Sequence, residues 1–384
     1  MSLSPLQSAT AVLAADTLSP HAGVAQLAEA AGLGPACWGF ESLHRHVHIN
    51  DLPTPAVVID IEIMRRNLDA MATVHPGHRL RPHVKAHKSS GIAAEQVLKG
   101  HNSFTCATPR EILGLVKAGV GNDLLLANET VDPQRLAALA AAQDDALITV
   151  AVDSRDTLDA ADRAGIRNVL IDVNVGLPRC GIAPQDAGWL ADSARVRGIN
   201  VRGVMGYEGH LMMVADRDEK KRKVHESMAL LAAAHADVGG DIVSAGGTGT
   251  YDMFAGTTVN EVQAGSYALM DTQYGQLGSP FAQAMWVVGT VISANGSWSV
   301  CDVGLKSLGM DHGNPSIDGH SVWFCSDEHI TFSPNEGTPQ PKVGERVFVT
   351  PAHIDPTMAM HDVAYVADTY GNVLGTWPID LRGW

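Results

Sequence analysis

Short apolar runs alternate with amphipathic stretches between Ala56 and Ala245. Eight of these runs have the length and composition of strands, and seven stretches between them carry the apolar spacing of helices. The predicted strands are residues 56–61, 80–85, 103–107, 123–127, 147–152, 168–173, 201–205 and 242–245. Because parallel neighbours need crossover connections, this alternation predicts an α/β fold, namely a (β/α)8 barrel of the TIM type. A doubly wound open sheet is the alternative.

The pattern changes at about residue 285, after which strands are separated by Gly, Pro, Asn and Asp without a long helix. The strands predicted there are residues 285–293, 298–302, 322–324, 346–350 and 363–367. They indicate a smaller all-β domain over residues 285–384. Before the first strand, Pro53 and Pro55 interrupt the chain, and residues 1–50 are predicted to be a helical extension with helices near 5–15 and 22–31. The predicted barrel domain therefore spans residues 51–284.

Charge and composition exclude several classes of partner. A formal net charge of −15 argues against nucleic acid or an anionic membrane surface. No apolar run approaches the roughly 18 residues that a membrane span needs. The five cysteines are scattered and form no C-x-x-C pair, so neither a disulfide framework nor a thiolate zinc site is predicted. The chain begins without a basic segment of the secretory kind, and a cytoplasmic protein is expected.

Basic and aromatic residues stand at the carboxyl ends of the predicted strands, where barrel enzymes place their chemistry. Lys85 closes the second predicted strand, Arg179 follows the sixth, and Tyr207 and His210 follow the seventh. A lysine in this position can form a Schiff base, provided that its surroundings depress its pKa. Lys88 is a competing candidate for that role.

Two further segments suggest ligands. The turn Gly-Gly-Thr-Gly-Thr at residues 246–250 follows the eighth predicted strand and offers free N–H groups, which suits a phosphate. In the β domain, His353 and Asp355 are two residues apart in Pro-Ala-His-Ile-Asp-Pro. In an extended chain such residues point the same way, so both can face one divalent ion.

Several motifs occur together in one order: TPAVVID, RPHVKAHK, VNVGLPRCGI, GYEGH, GGTGT, AGSYALMD, DVGLKS and PAHIDPTMAMHD. With these motifs, the chain from about Asp51 onwards resembles the D-threonine aldolase and D-serine dehydratase family. The members of that family are fold-type III pyridoxal phosphate enzymes related to alanine racemase. The resemblance implies a barrel followed by a β domain, and pyridoxal 5′-phosphate as the cofactor.

The resemblance also implies roles for individual residues. Lys85 would bind the cofactor, Arg179 would contact its phenolic oxygen, and Tyr207 would lie near its ring or its pyridine nitrogen. The phosphate would be held by residues of two loops: Gly247, Thr248, Gly249, Gly265, Ser266 and Tyr267. His353 and Asp355 match the family's metal pair. Related dehydratases usually carry cysteine at the second position, so Asp355 favours the aldolase branch and Mn, Mg or Ca over Zn.

The function implied is metal-assisted retro-aldol cleavage of a D-β-hydroxy-α-amino acid, either D-threonine-like or D-3-hydroxyaspartate-like, to glycine and an aldehyde. His210 is the predicted general base, with a metal-bound hydroxide as the alternative. A dehydratase that releases a 2-oxo acid and ammonia is the second hypothesis. Racemisation and a non-catalytic cofactor carrier are weaker ones, since neither needs the metal pair. The resemblance further implies a homodimer in which each β domain faces the partner's barrel mouth.

Overall fold

Helices and strands alternate through the first two thirds of the computed structural model, which describes residues 47–384. The strands of this part are β1 (Val47–His48), β2 (Ala56–Asp60), β3 (Ser103–Cys106), β4 (Asp123–Leu126), β5 (Leu147–Val152), β6 (Asn168–Asp172), β7 (Asn200–Gly206), β8 (Ile242–Ala245) and β9 (Glu261–Val262). The helices are α1 (Ile61–Val74), α2 (Ser90–Leu98), α3 (Pro109–Ala118), α4 (Pro133–Ala141), α5 (Arg155–Ala164), α6 (Ala187–Val196) and α7 (Arg217–Val238). Apart from residues 47–50, the predicted N-terminal extension and its two helices lie outside the described residues.

The remaining part is mostly β structure, as predicted. Its elements are α8 (Thr272–Gly275), β10 (Met285–Ala294), β11 (Ser299–Cys301), β12 (Ser316–Ile317), β13 (His320–Cys325), β14 (Ile330–Pro334), β15 (Arg346–Thr350), α9 (Ile354–Ala359), β16 (Val363–Ala367) and β17 (Asn372–Pro378). Strands β10, β11, β14, β13, β12 and β15 pair in that order, and β15 pairs again with β10. All these pairings are antiparallel, so the six strands form a closed barrel.

A parallel sheet runs from β3 to β9 in chain order, and residues 80–83 join its two edges. We call these residues the closing segment. Leu80 bridges to Val262 of β9, and His83 bridges to Thr105 of β3. The Arg81 N–H donates to the Val262 carbonyl at 2.9 Å, and the Thr105 N–H donates to the Pro82 carbonyl at 2.9 Å. Together with the closing segment, these strands complete the predicted (β/α)8 barrel, and the fold class is confirmed.

The prediction that residues 56–61 form the first barrel strand is wrong. Within residues 47–384, β2 lies in the other sheet, antiparallel to β10 and parallel to β16. Its five residues are all buried, and a continuous apolar run of this kind fits any strand covered on both faces. The missing barrel strand is β9, whose two residues are too short to show a period. The turn at residues 246–250 therefore follows the seventh barrel strand, and Gly265 follows the eighth.

A charged network fills the end of the barrel at which its strands begin. The guanidinium of Arg81 is 2% exposed and lies 2.9 Å from Glu261 Oε1 and 3.1 Å from Asp123 Oδ1. Arg202 Nη1 lies 2.7 Å from the same Asp123 oxygen. Burial by itself would raise the pKa of Asp123, but the hydrogen bonds from Arg202 and Arg81 lower it to about 2. Two arginines and two carboxylates thus neutralise one another at this end of the barrel.

None of the helices in the described part of the chain combines the length and the apolar composition that a membrane crossing requires.

The network predicts that Arg81→Ala lowers the free energy of unfolding by about 3–5 kcal/mol, because the buried Glu261 loses its cationic partner and Asp123 keeps only Arg202. Urea denaturation followed by circular dichroism measures this loss. The control is Arg167→Ala, since Arg167 and its partner Asp144 are 60% and 79% exposed and their pair contributes at most about 1 kcal/mol. Equal losses in the two variants would contradict the role assigned to Arg81.

Candidate active site

A cavity of about 210 Å³ opens at the carboxyl ends of the barrel strands. Seven of the residues predicted for the site line it: Lys85, Arg179, Tyr207, Gly247, Thr248, Gly265 and Ser266. Several lining residues with polar side chains were not predicted: His83, Asn128, Glu129, Asp172, Gln263 and Tyr274. The carboxyl ends of the predicted strands therefore indicated where the cavity lies, but they did not identify all of its polar residues.

Lys85 reaches the cavity from the turn Val84–Ala86, directly after the closing segment. Its side chain is 42% exposed, and Nζ lies 3.1 Å from Asp355 Oδ2. The Asp355 carboxylate raises the pKa of Lys85, and burial opposes this effect without reversing it. The sequence argument required a depressed pKa at this lysine. In the structure the neighbouring carboxylate produces the opposite shift and holds Lys85 as an ammonium.

Lys88 points away from the cavity. Its Nζ donates to the Lys85 carbonyl at 2.9 Å and lies 3.2 Å from Glu111 Oε1. Glu111 is 1% exposed, so this ion pair is well shielded from solvent. The backbone of Lys88 adopts φ of 52°, in the left-handed region, and its carbonyl accepts the Leu381 N–H at 2.9 Å. The two lysines of the motif therefore have different surroundings, and Lys85 is the one that faces the cavity.

The predicted phosphate loops meet at one side of the cavity. Residues 246–250, here called the glycine loop, follow β8, and Thr248 Oγ1 accepts the Tyr267 N–H at 3.0 Å. Neighbouring backbone leaves no room for side chains at two glycines. A Cβ at Gly249 would lie 2.8 Å from the Met212 carbonyl oxygen, and one at Gly265 would lie 2.5 Å from the His83 carbonyl oxygen.

Three of the residues predicted for catalysis or cofactor binding do not line the cavity: Tyr267, His210 and Gly249. The Tyr267 ring is fully buried, and its hydroxyl accepts a hydrogen bond from Gln96 Nε2 at 3.0 Å, so its backbone N–H is the part that meets the glycine loop. His210 is exposed and packs against Gly176, where an added Cβ would lie 2.9 Å from its ring. Gly249 also lies off this cavity, against Met212.

The side chains of Arg179 and Tyr207 lie next to each other in the cavity wall. The guanidinium carbon of Arg179 lies 5.4 Å from the centre of the Tyr207 ring, within the range of a cation–π contact. Burial raises the pKa of Tyr207, so its hydroxyl stays protonated near neutral pH. The pair presents a fixed positive charge and a phenolic O–H beside Lys85.

His353 and Asp355 meet at the start of α9. His353 precedes the helix in an extended conformation, and Asp355 lies in its first turn. His353 Nδ1 pairs with Asp311 Oδ2 at 2.7 Å, while His353 Nε2 lies 3.8 Å from Asp355 Oδ1. That Oδ1 atom is buried and has no hydrogen-bond partner. A histidine nitrogen and an unpaired carboxylate oxygen that face each other in this way are suited to a divalent ion.

Asp311 and His312 were missed by the sequence analysis. The His312 ring stacks on His353 with 3.9 Å between centroids and 8° between planes. Their signal in the sequence is an adjacent Asp-His pair in a Gly-rich turn, without any spacing that ties it to residue 353.

Asp271 attaches the His353 segment to the barrel. Its carboxylate is 1% exposed, and Oδ2 accepts the Ile354 N–H at 3.1 Å while Oδ1 accepts the Tyr274 N–H at 3.0 Å. The Thr272 N–H donates to the Pro351 carbonyl at 3.1 Å. These bonds bring the β-domain segment to the barrel mouth of its own chain.

An acidic wall forms another side of the cavity. Asp172 ends β6, and Glu129 follows β4. Burial and the neighbouring Glu129 raise the pKa of Asp172 well above its usual value. Cys180 lies close by, and burial together with Glu129 raises its pKa to about 12. The thiol is therefore protonated at neutral pH, and it is a poor nucleophile.

Two protein families match the chain. The family described as alanine racemase, N-terminal domain, matches residues 59–273, and the putative serine dehydratase domain matches residues 284–367. The first match covers the barrel and the second covers most of the β domain.

Curated relatives match over most of their length. A D-threonine aldolase from Arthrobacter sp. is 34% identical over 355 residues, which is 86% of this chain and 93% of that protein. A 3-hydroxy-D-aspartate aldolase from Paracoccus denitrificans (strain Pd 1222) is 29% identical over 87% of this chain and 93% of that protein. A D-threo-3-hydroxyaspartate dehydratase from Delftia sp. (strain HT23) is 28% identical over 87% and 98%. Among solved structures, D-threonine aldolase from Filomicrobium marinum superposes with a TM-score of 0.82 at 32% identity, covering 89% of this chain and 99% of that one.

Because Asp271 holds the first turn of α9, Asp271→Ala is expected to release the His353 segment. Hydrogen–deuterium exchange should become at least about 10-fold faster at residues 351–358, since a buried acceptor of two N–H groups contributes about 1–3 kcal/mol. Asp368→Ala is the control, because Asp368 caps the turn between β16 and β17 and bonds to Tyr370 and Asn372 within that turn. Unchanged exchange at residues 351–358 would show that other contacts hold this segment.

Proposed function

The chain belongs to the alanine racemase N-terminal domain family of fold-type III pyridoxal phosphate enzymes, which it shares with D-threonine aldolases, and on that basis we propose that it cleaves D-β-hydroxy-α-amino acids to glycine and an aldehyde. The enzyme is a lyase. The curated relatives named above comprise aldolases and a dehydratase, and their names give D-threonine or a D-3-hydroxyaspartate as the substrate. Carbon–carbon cleavage is the reaction that we propose for this chain.

The contact between Lys85 and Asp355 carries the proposal. Lys85 Nζ and Asp355 Oδ2 are 3.1 Å apart, and Asp355 Oδ1 faces His353 Nε2. The lysine that faces the cavity and a pair of atoms suited to a divalent ion therefore share one carboxylate. A racemase or a cofactor carrier needs only the first of these features.

The cavity fits pyridoxal 5′-phosphate. Lys85 would bind it, the backbone of Gly247 and Gly265 with the hydroxyls of Thr248 and Ser266 would hold its phosphate, and Arg179 would contact its phenolic oxygen. The bound cofactor supplies an electron sink for the bond broken at Cα. The Arg179 guanidinium stabilises negative charge on the phenolic oxygen because it is always protonated.

His353 and Asp355 would hold the divalent ion, as the unpaired buried Oδ1 atom of Asp355 suggests. Such an ion supplies Lewis-acid activation and orientation of the substrate's β-hydroxyl. Asp311 Oδ2 accepts a hydrogen bond from His353 Nδ1–H, which leaves the Nε2 lone pair free for a metal. A carboxylate and an imidazole without a thiolate favour Mn, Mg or Ca over Zn.

In the cleavage step, the β-hydroxyl of the substrate loses its proton and the Cα–Cβ bond breaks. The β-carbon leaves as an aldehyde, and Cα regains a proton to give glycine. Lys85 Nζ faces the cavity and is the group that we propose returns that proton. His210 stays a prediction as the base for the β-hydroxyl, because its ring packs on Gly176 outside the cavity lining.

A homodimer is part of the proposal, and a cytoplasmic location stays a prediction. Two tryptophan rings on the β domain, Trp298 and Trp323, lie 5.9 Å apart and are 39% and 49% exposed, and Phe324, the next residue along β13, is 55% exposed. An exposed cluster of large apolar side chains commonly marks a protein interface. The His353 segment approaches its own chain's barrel, so a partner would add to that mouth rather than supply its metal pair.

With pyridoxal phosphate, Mn²⁺ and a panel of D-threonine, D-phenylserine, D-serine and D-3-hydroxyaspartate, the purified protein is expected to release glycine and an aldehyde. Lys85→Ala should lower kcat/KM by at least about 1,000-fold, since it removes the amine on which the cofactor chemistry depends. Lys117→Ala, on the exposed end of α3, is the matched control and should leave the rate unchanged. Ammonia and a 2-oxo acid in place of glycine would assign the dehydratase reaction instead.

Metal removal is the second test. Chelation should lower the rate by about 100-fold or more, because the ion stabilises charge on the β-oxygen, and Mn²⁺ should restore it. His353→Ala and Asp355→Ala should bind no Mn²⁺ in calorimetry, and Asp311→Asn should weaken Mn²⁺ binding by about 10–100-fold. Asp318→Asn, an exposed residue of the same domain, is the control. Full activity in the chelated enzyme would remove the metal from the proposal.

A further inference from the structure

Two buried ionisable side chains lie behind the glycine loop and are not part of the cavity lining. Glu208 follows β7 and Lys220 lies in the first turns of α7. They are 0% and 4% exposed, respectively. Neither has an oppositely charged partner within 4.0 Å among residues 47–384, where the ion pairs are otherwise numerous. Burying a charged group without such a partner is costly, so their position calls for an explanation.

Glu208 holds two points of the glycine loop. Its Oε1 accepts the Thr250 hydroxyl at 2.6 Å, and its Oε2 accepts the Gly246 N–H at 3.3 Å. Thr250 Oγ1 in turn accepts the Gly247 N–H at 3.3 Å. Through these bonds one carboxyl group holds the Gly246 peptide at the start of the loop and the Thr250 side chain at its end.

Burial raises the pKa of Glu208, although its bonds to Thr250 and Gly246 oppose the shift. The side chain holds the loop through the positions of its two oxygen atoms, each of which accepts one hydrogen bond.

Lys220 holds the same loop from the side of α7. Its Nζ donates to the Met212 carbonyl at 2.8 Å and lies 3.5 Å from the Gly249 carbonyl oxygen. Met212 is also the residue against which Gly249 packs without room for a Cβ. The ammonium thus connects the segment before α7 to the glycine loop and places a positive charge behind it.

We propose that Glu208 and Lys220 are positioning residues that hold the glycine loop in the form that accepts the cofactor's phosphate group. This inference rests on the proposed function, because the anion it concerns is the 5′-phosphate of pyridoxal phosphate. Gly247 and Thr248 present the loop to the cavity, while Glu208 and Lys220 contact it from behind. Neither residue touches the cavity, so both act on phosphate affinity through the loop.

The test measures the affinity of the apoenzyme for pyridoxal phosphate, by the absorbance of the lysine-bound cofactor. Glu208→Leu should raise Kd by about 10–100-fold, because two loop donors lose their acceptor. Glu208→Gln should stay within about threefold of the wild type, because its amide oxygen accepts the Gly246 N–H and its NH₂ group donates to Thr250. Lys220→Met should raise Kd about 10-fold. In all of these variants kcat at saturating cofactor should change less than threefold.

Glu219→Gln and Lys223→Met are the matched controls, since these residues form an exposed ion pair on the same helix. If Glu208→Leu does not fold, Thr250→Val tests the same bond, with an expected rise of about 10-fold in Kd. An unchanged Kd in Glu208→Leu or Thr250→Val would overturn the inference. So would a loss in Glu208→Gln as large as in Glu208→Leu, since the charge would then be the active feature. A wild-type protein that binds no cofactor at Lys85 would instead overturn the proposed function.

Discussion

The closing segment is the constraint on which the site depends. Its backbone bonds to β9 on one side and to β3 on the other, and without it the parallel strands would form an open sheet. Lys85 lies two residues after the last of these bonds. The contacts that close the barrel therefore also fix the position of the Lys85 side chain. The charged network around Arg81 adds to this, because Arg81 belongs to the closing segment and pairs with charges on β4 and β9. A segment that is hydrogen-bonded to a strand on each side is held more firmly than the tip of a loop.

The two sheets meet at one carboxylate. Asp355 belongs to the β domain, yet one of its oxygens contacts the barrel's lysine and the other faces His353. Asp271 stabilises the position of Asp355, because its carboxylate accepts hydrogen bonds from an N–H group of α8 and from one of α9. The distribution of charge follows the same division. The cationic groups Lys85 and Arg179 lie on the side of the cavity near Tyr207. The acidic wall holds Glu129 and Asp172, and burial with the neighbouring Glu129 raises the pKa of Asp172.

Much of the architecture followed from the sequence, because a strand covered on both faces leaves a continuous apolar run. The same signal could not tell which sheet a run joins, and for that reason β2 was assigned to the barrel. Two residues, Glu261 and Val262, are too few for any period to show, so β9 was missed. Site residues were predictable where a strand end fixes their direction, as for Lys85, Arg179 and the glycine loop. Direction within turns was not predictable: in one short segment the Tyr267 ring turns into the core and the Tyr274 ring turns to the cavity. Asp311 contacts His353 from 42 residues away, a pairing that only the packed chain reveals.

The placement of β2 has a consequence for how the chain reaches its native state during synthesis. This strand leaves the ribosome early, but its neighbours β10 and β16 begin at residues 285 and 363. Until then its five buried residues have no sheet to join, and the nascent chain carries an apolar segment that chaperones would have to shield. The lysine-bearing turn is completed later still. Asp380 accepts the Ser90 N–H and hydroxyl, and the Leu381 N–H bonds to the Lys88 carbonyl. The barrel strands can therefore pair before the turn that carries Lys85 gains these last contacts, which form only after residues 380 and 381 have emerged.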